Sequence, residues 1–184
     1  MLIQDMTREM NIALLKSACV GRIACAKGFQ PYVTPFSFAY HEGCIYSFAT
    51  VGRKIEWMRA NPLVCVEAEK IISRQEWQSV VIFGRYQELT KSPEFNKARV
   101  LAHDLLAMAA AWWEPGYVKT LHDGVERPLQ PVYFRILIDE ISGHQGIPCR
   151  HPVESNGQGA WKGMEQKIQL YCKNRFGRKW SSKK

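Results

Sequence analysis

The stretch CIYSFATVGRKIEWMRANP, residues 44–62, is the most informative part of the chain for the fold. Its pattern predicts a short β-strand, a tight polar turn at residues 50–52, and a helix that begins at Arg53 and ends before Pro62. The first turn of a helix carries partial positive charge on its free N–H groups, so cations are disfavoured there. Arg53 and Lys54 nevertheless occupy that turn, next to Gly52 and the Thr50 hydroxyl. A bound phosphate would satisfy these groups together, whereas solvent-facing side chains are the alternative.

The segments on either side predict a mainly β, antiparallel barrel with helical decorations. Asp5 is the expected cap of a first helix over residues 5–17, and Ser92-Pro93 is expected to open a later one. Residues 142–160 read as a loop. No G-x-G-x-x-G motif follows the first strand, which argues against a dinucleotide-binding α/β fold. Six strands are predicted, over residues 20–27, 32–40, 44–50, 63–72, 77–89 and 130–141.

Length and composition indicate one domain spanning residues 1–184. The apolar fraction of 46% is enough for a full core, and no apolar run is long enough for a membrane helix. The N-terminus lacks the pattern of a signal peptide. Six cysteines occur without a C-x-x-C pair, which favours reduced thiols in a cytoplasmic protein.

The positive charge is concentrated at the C-terminus. The net charge is +8, and residues 162–184 hold eight Lys/Arg and one Glu. We expect a basic C-terminal helix whose last residues are solvated. Nucleic acid is an unlikely partner, because few aromatic residues are interleaved with these cations.

Several other residues are candidates for chemistry. Gln78 stands between bulky residues at a strand start, and Pro35 inside a strand suggests an edge or a bulge. His144, Cys149 and His151 lie close in sequence but fit no standard zinc spacing, so no metal site is predicted. His103-Asp104 has no nucleophile that the sequence places nearby, so a hydrolytic triad is unsupported.

In order along the chain, the segments ACVGRIACA, PYVTPFSFAY, IYSFATVGRKIEWMRANPLVCVEAE, WQSVVIFGRYQEL and PVYFRILIDEISG follow an N-terminal helix. This series resembles the FMN-binding split-barrel superfamily named for pyridoxamine 5′-phosphate oxidase, and it is most similar to the nitroimidazole-resistance-like branch. The resemblance covers most of residues 5–146. It implies a six-stranded antiparallel split β-barrel that forms a homodimer, with flavin at the subunit interface.

The resemblance also implies roles for individual residues. Thr34, Pro35, Phe36 and Ser37 would edge the isoalloxazine ring, and Phe48, Ala49 and Thr50 would line the ring and ribityl chain. Gly52, Arg53 and Lys54 would hold the phosphate. Gln78 and Ser79 would reach the ring or the phosphate, and Trp112 and Trp113 would cover the ring from the partner subunit.

The implied function is that of a flavoprotein, an oxidoreductase acting on an unidentified small molecule, with FMN as the expected cofactor and FAD or a deazaflavin left open. The C-terminal substrate motif of pyridoxamine phosphate oxidases is not recognisable in RFGRKW, and Phe48 stands where nitroimidazole-resistance proteins carry a histidine. Neither activity is therefore assigned, and no catalytic side chain is named. A non-catalytic flavin-binding or storage module and a haem-handling protein are the alternatives.

Overall fold

The computed structural model describes residues 1–109, 120–122, 125–127 and 131–148. Residues Met1–Pro148 form one compact unit, and the remaining residues from Cys149 lie outside the described ranges. The described helices are α1 (Arg8–Ser17), α2 (Arg53–Ala60) and α3 (Asn96–Ala109), the last preceded by a 3₁₀ turn, Pro93–Phe95. The described strands are β1 (Leu2–Asp5), β2 (Val20–Lys27), β3 (Gln30–Ser37), β4 (Ala39–His41), β5 (Cys44–Ala49), β6 (Leu63–Ile71), β7 (Trp77–Glu88), β8 (Thr120–His122), β9 (Val125–Arg127) and β10 (Val132–Ile147).

Eight of the strands form one antiparallel sheet with the order β3-β2-β6-β7-β10-β5-β4, and β1 pairs with β10. Strands β8 and β9 form a separate two-stranded ladder. The large sheet does not close into a complete cylinder, because its two end strands, β3 and β4, do not pair with each other in the described structure. The predicted split-barrel fold, mainly β and antiparallel, is confirmed, and all six predicted strands are present.

The long strand β10 joins the two halves of the sheet. Its first part, residues 132–137, pairs with β5, and its last four residues pair with β1. Strand β7 pairs with both parts, from residue 134 to residue 146. A register shift between Ile138 and Glu140 separates these parts. Such a shift bends a strand, which lets one strand serve two parts of a curved sheet.

The predicted loop at residues 142–160 is wrong for its first six residues, because β10 continues to Ile147. Two glycines interrupt the apolar alternation and hide the strand in the sequence. A Cβ on Gly143 would collide with the Asn11 side chain, and one on Gly146 would lie 2.5 Å from the Trp77 indole nitrogen. These glycines therefore permit side chains of α1 and β7 to pack closely against β10.

Two other boundaries differ from the prediction. Helix α1 begins at Arg8 with Thr7 as its cap, since the Thr7 hydroxyl accepts a bond from the Met10 N–H at 3.3 Å. Asp5 instead belongs to β1. The predicted strand over residues 32–40 is split into β3 and β4 at Phe38, whose buried ring and bond to the Cys19 carbonyl turn the chain.

The core follows the alternation of the strands. Residues Ile23, Val66, Ile82 and Ile136, from four neighbouring strands, are fully buried. Helix α2 is held on this core by two fully buried side chains, Ile55 and Met58. Burial of such side chains stabilises a fold by about 1.5–3 kcal/mol each, so the position of α2 is strongly determined.

Cysteines Cys19, Cys25, Cys44 and Cys65 are free thiols, and the other two cysteines lie outside the described residues. Within the described ranges, none of the helices combines the length and the apolar character that a membrane crossing requires. A cytoplasmic location stays a prediction from the sequence.

Candidate functional site

A groove of about 230 Å³ lies between edge strand β3, the end of β5 and the start of α2. Its lining combines apolar and aromatic side chains with two cations, so the groove fits a ligand that combines a flat apolar part with an anionic part. Its lining residues are Tyr32, Thr34, Pro35, Phe36, Ser37, Phe48, Ala49, Thr50, Gly52, Arg53 and Lys54.

Strand β3 supplies the longest wall of the groove. It pairs only with β2 among the described strands, so its other edge is free of ladder bonds there. Pro35 fits this edge position because proline has no N–H to donate to a neighbouring strand. The buried Phe36 ring stacks on Phe38, with ring centroids 5.4 Å apart, and this contact anchors the wall to the core.

The turn between β5 and α2 presents backbone donors to the groove. Gly52 is the cap of α2 in an extended conformation, and no side chain caps the helix there. The Gly52 carbonyl accepts the N–H of Glu56 at 3.0 Å, while the first-turn N–H groups have no intrahelical acceptors. An anion at this end would be stabilised by these donors and by the helix dipole.

The other end of α2 is tied to the sheet. The Arg59 guanidinium donates to both Glu88 carboxylate oxygens at 2.7 and 2.8 Å, and the Tyr86 hydroxyl donates to the same carboxylate at 3.0 Å. The Arg59 bonds lower the pKa of Glu88, so the carboxylate stays charged well below neutral pH. This network, with the buried Ile55 and Met58, fixes the orientation of α2 and hence of its first turn.

Lys54 is a half-buried cation that has no carboxylate partner among the described residues. Its Nζ lies 5.9 Å from the Phe36 ring centroid, and none of the described residues places a carboxylate within 4.0 Å of it. Burial lowers the pKa of Lys54, and the neighbouring Cys25 thiol offsets this only weakly. A partly desolvated ammonium with no described carboxylate partner costs free energy, and an anion bound beside it would offset that cost.

Arg53 lies at the exposed end of the same groove. Its guanidinium carbon is 5.7 Å from the centroid of the Tyr32 ring, and again no described carboxylate lies within ion-pair distance. Elsewhere in the described chain Arg22, Arg59 and Arg85 each pair with one or two carboxylates. The two cations of the groove are therefore available to a ligand.

The structure brings together ten of the fourteen residues predicted as cofactor contacts. These ten are Thr34, Pro35, Phe36, Ser37, Phe48, Ala49, Thr50, Gly52, Arg53 and Lys54. Trp112 and Trp113 lie outside the described residues. The sequence analysis missed Tyr32, although its position two residues before Thr34 on one strand face could have indicated it.

Gln78 and Ser79 do not line this groove. Gln78 donates to Gln145 at 3.4 Å beside a separate cleft, and the Ser79 hydroxyl donates to Glu67 at 3.3 Å. Both residues lie near the start of β7, whereas β3 is three strands away in the sheet. Within one chain they do not line this groove, and their role as cofactor contacts stays a prediction.

The other candidates form no larger site in the described structure. His144 Nε2 lies 3.2 Å from Asp5 Oδ1 on the exposed β1–β10 edge, while Cys149 and His151 lie outside the described residues. His103 and Asp104 contact each other at 3.2 Å on the exposed face of α3. Among the residues described, none of the His, Cys, Asp and Glu side chains form a group of three that could hold a metal ion.

Known proteins resemble the chain at several levels. A family model described as pyridoxamine 5′-phosphate oxidase matches residues 7–145. An uncharacterised protein of Rhizobium meliloti (strain 1021) is 34% identical over 143 residues, which cover 78% of this chain and 95% of that protein. The crystal structure of an FAD-binding protein from Mesorhizobium loti is 39% identical, with a TM-score of 0.68, and covers 80% of this chain and 100% of that one.

A more distant structure shares the fold alone. It is a Bacteroides thetaiotaomicron protein named for 5-nitroimidazole antibiotic resistance, with 15% identity and a TM-score of 0.56. The alignment covers 79% of this chain and 89% of that one.

Proposed function

The chain belongs to the pyridoxamine 5′-phosphate oxidase family, and from that premise we propose that it binds a flavin in the groove between β3, β5 and α2. The observation that carries the proposal is a pair of cations without described carboxylate partners, Arg53 and Lys54, at a helix N-terminus beside an apolar wall. A flavin nucleotide has the matching parts, a flat ring system and a phosphate. The 39% identical FAD-binding protein supports the same class of ligand.

The residues present fit the cofactor at both ends. Phe36, Phe48 and Ala49 would hold the ring in an apolar setting, and Lys54, Arg53 and the first-turn N–H groups of α2 would hold the phosphate. FMN is the cofactor expected from the sequence, while FAD shares the same ring and phosphate chemistry. A charge-assisted bond to phosphate contributes about 1.5–3 kcal/mol, so this end would supply much of the affinity.

We further propose that the protein is an oxidoreductase acting on an unidentified small molecule. A bound flavin supplies transfer of a hydride or of single electrons, and the protein contributes binding, orientation and electrostatics. The positive charge of Lys54 and Arg53 would favour the cofactor's anionic parts, and the aromatic walls would exclude water from one face of the ring. None of these contacts requires a side chain to act as acid or base.

A flavin titration tests the proposal. When apo protein is titrated with FMN or with FAD, we expect the flavin fluorescence to be quenched. The resulting complex should be yellow, with absorbance near 450 nm. Reduction of the bound flavin by NADH or NADPH, followed by turnover, would establish the oxidoreductase. Flavin binding without reduction would indicate the binding or storage module, a Soret band near 410 nm would indicate haem, and failure to bind either flavin would disprove the proposal.

The outer face of the sheet supports the proposed homodimer. The strand register places Val33, Ala24, Cys65 and Phe83 in one row across β3, β2, β6 and β7. Val33 and Phe83 are 62% and 52% exposed, and Leu63 at the end of β6 is 63% exposed. An apolar row across a sheet face is typical of a surface that a second copy covers.

Light scattering is therefore expected to give about twice the chain mass of 21.2 kDa. A Phe83→Asp variant should shift the protein toward monomer, because a carboxylate in that row would be desolvated without a partner. Met108→Asp, at a more exposed apolar residue on α3, is the control and should leave the mass unchanged. A parent protein that stays monomeric at micromolar concentration would refute the dimer.

A further inference from the structure

Two planar side chains, Tyr32 and Arg53, line the groove, and a third, Trp57, packs behind Tyr32 without lining it. The Tyr32 and Trp57 rings pack edge to face, with centroids 5.7 Å apart and planes at 64°. The Arg53 guanidinium lies over the Tyr32 ring at 5.7 Å. Both aromatic residues are half-buried and Arg53 is exposed, so the groove is open to a ligand at Arg53.

The two cations of the groove lie at different points along it. Lys54 is over Phe36, whereas Arg53 is over Tyr32. Four residues of extended strand separate Tyr32 from Phe36, a distance of about 13 Å at the usual rise per residue. A phosphate held by the half-buried Lys54 and the helix N-terminus would therefore leave Tyr32 and the outer part of the groove unused. A ligand that ends at one phosphate leaves the Tyr32 ring, which lines the groove, without a contact.

The chemistry of Tyr32 and Arg53 suits a nucleobase. A flat base can stack on a tyrosine ring and on a guanidinium plane, and such contacts are tolerant of base identity. The 5.7 Å separation of Arg53 from the ring centroid is wider than the approximately 3.5–4.0 Å of direct stacking contact. Since Arg53 is exposed and has no described carboxylate partner, it can move outward and cover the second face of a base that lies on Tyr32. Trp57 holds the Tyr32 ring in place from its edge.

We infer that Tyr32 and Arg53, with Trp57 supporting the Tyr32 ring, form a subsite for the adenine of a dinucleotide flavin, so that the groove selects FAD over FMN. This inference rests on the proposed flavin function and names the form of the cofactor. Lys54 and the N-terminus of α2 would hold the phosphate next to the ribityl chain, and Arg53 would lie between the second phosphate and the base. Tyr32 would then be a specificity residue, since it contacts only the part that FMN lacks.

The test compares two ligands on folded apo protein. The parent is expected to bind FAD at least about tenfold more tightly than FMN in fluorescence titrations. Tyr32→Ala should weaken FAD binding about five- to 150-fold, the range for loss of one stacked ring, and should leave FMN binding unchanged. Tyr32→Phe keeps the ring and should retain the preference. Phe29→Ala removes a fully exposed ring from the same β2–β3 hairpin and should change neither affinity.

The possible results distinguish failure of the adenine subsite from failure of the flavin function. Equal affinity of the parent for FMN and FAD would overturn the adenine subsite and leave the flavin function intact. Equal weakening of both ligands by Tyr32→Ala would overturn the assignment of Tyr32 to the adenine. If neither ligand binds the parent, the flavin function itself fails. Should Tyr32→Ala not fold, Tyr32→Leu provides the same removal of the aromatic plane with a larger side chain.

Discussion

An Arg53→Ala, Lys54→Ala double variant is expected to purify as a folded but colourless protein. Neither side chain has a described carboxylate partner, so their removal breaks no ion pair of the described fold. Each is proposed to make a charge-assisted bond to a flavin phosphate, and loss of one such bond costs about 1.5–3 kcal/mol. Loss of both should weaken flavin binding about a hundredfold to ten-thousandfold. Fluorescence titration with circular dichroism as a fold check measures this.

A control of equal charge separates a local effect from a change in net charge. Arg74 and Lys91 are exposed and lie outside the groove, so Arg74→Ala with Lys91→Ala removes the same charge from another surface. Long-range electrostatics between exposed groups are largely screened at physiological salt, and this control should bind flavin like the parent. If the groove variant binds as tightly as the control, the phosphate assignment is incorrect.

A Lys54→Met variant is expected to change stability and affinity in opposite directions. In the apo protein the half-buried ammonium is partly desolvated, and burial lowers its pKa. Replacing an unpaired buried charge by an apolar side chain of similar length should stabilise the apo fold by about 1–2 kcal/mol, since the modest cation–π contact with Phe36 does not offset desolvation. The same variant should bind flavin about ten- to a hundredfold more weakly.

The pH dependence of this effect has a defined sign. The folded-state pKa of Lys54 is lower than the ordinary lysine value, so the charged form costs stability fully at pH values below the folded-state pKa. The cost decreases as pH rises through that pKa and is gone above the ordinary value. Urea unfolding of apo parent and variant should therefore differ at neutral pH and converge at strongly alkaline pH. Lys70→Met, at an exposed lysine, should change stability by less than about 0.5 kcal/mol. A less stable apo Lys54→Met protein would contradict the argument.

Local patterns in the sequence account for most of the secondary structure. The alternation of apolar residues indicated all six barrel strands, because a period of two reports which side chains face a core. The stop at Asn61-Pro62 correctly indicated the end of α2 at Ala60. The errors lie where local signals compete. Thr7 and Asp5 are both good caps, and only the pairing of Asp5 with His144 in the sheet shows which one begins α1.

Part of the candidate site could be predicted from the sequence because it also depends on local patterns. Residues 50–54 are contiguous, and the charge of a helix N-terminus is a local property, so the sequence alone indicates the proposed anion site. Residues 34–37 entered through the family resemblance, and the structure places them against the same groove. Gln78 and Ser79 also entered through the resemblance, but their strand lies away from the groove within one chain.

Other properties depend on contacts between residues far apart in the chain, which no local pattern reports. The chain itself carries the strand pattern, the turn at residues 50–52 and the two cations, since these depend on neighbours within a few residues. Tertiary packing alone sets the burial of Lys54 against Phe36 and the contact of Arg53 with Tyr32, because β3 meets α2 only after the sheet has assembled. The same is true of β10, which pairs with three strands from separate parts of the chain. Such pairings are chosen by the burial of a shared core and by strand register, and both exist only in the folded molecule.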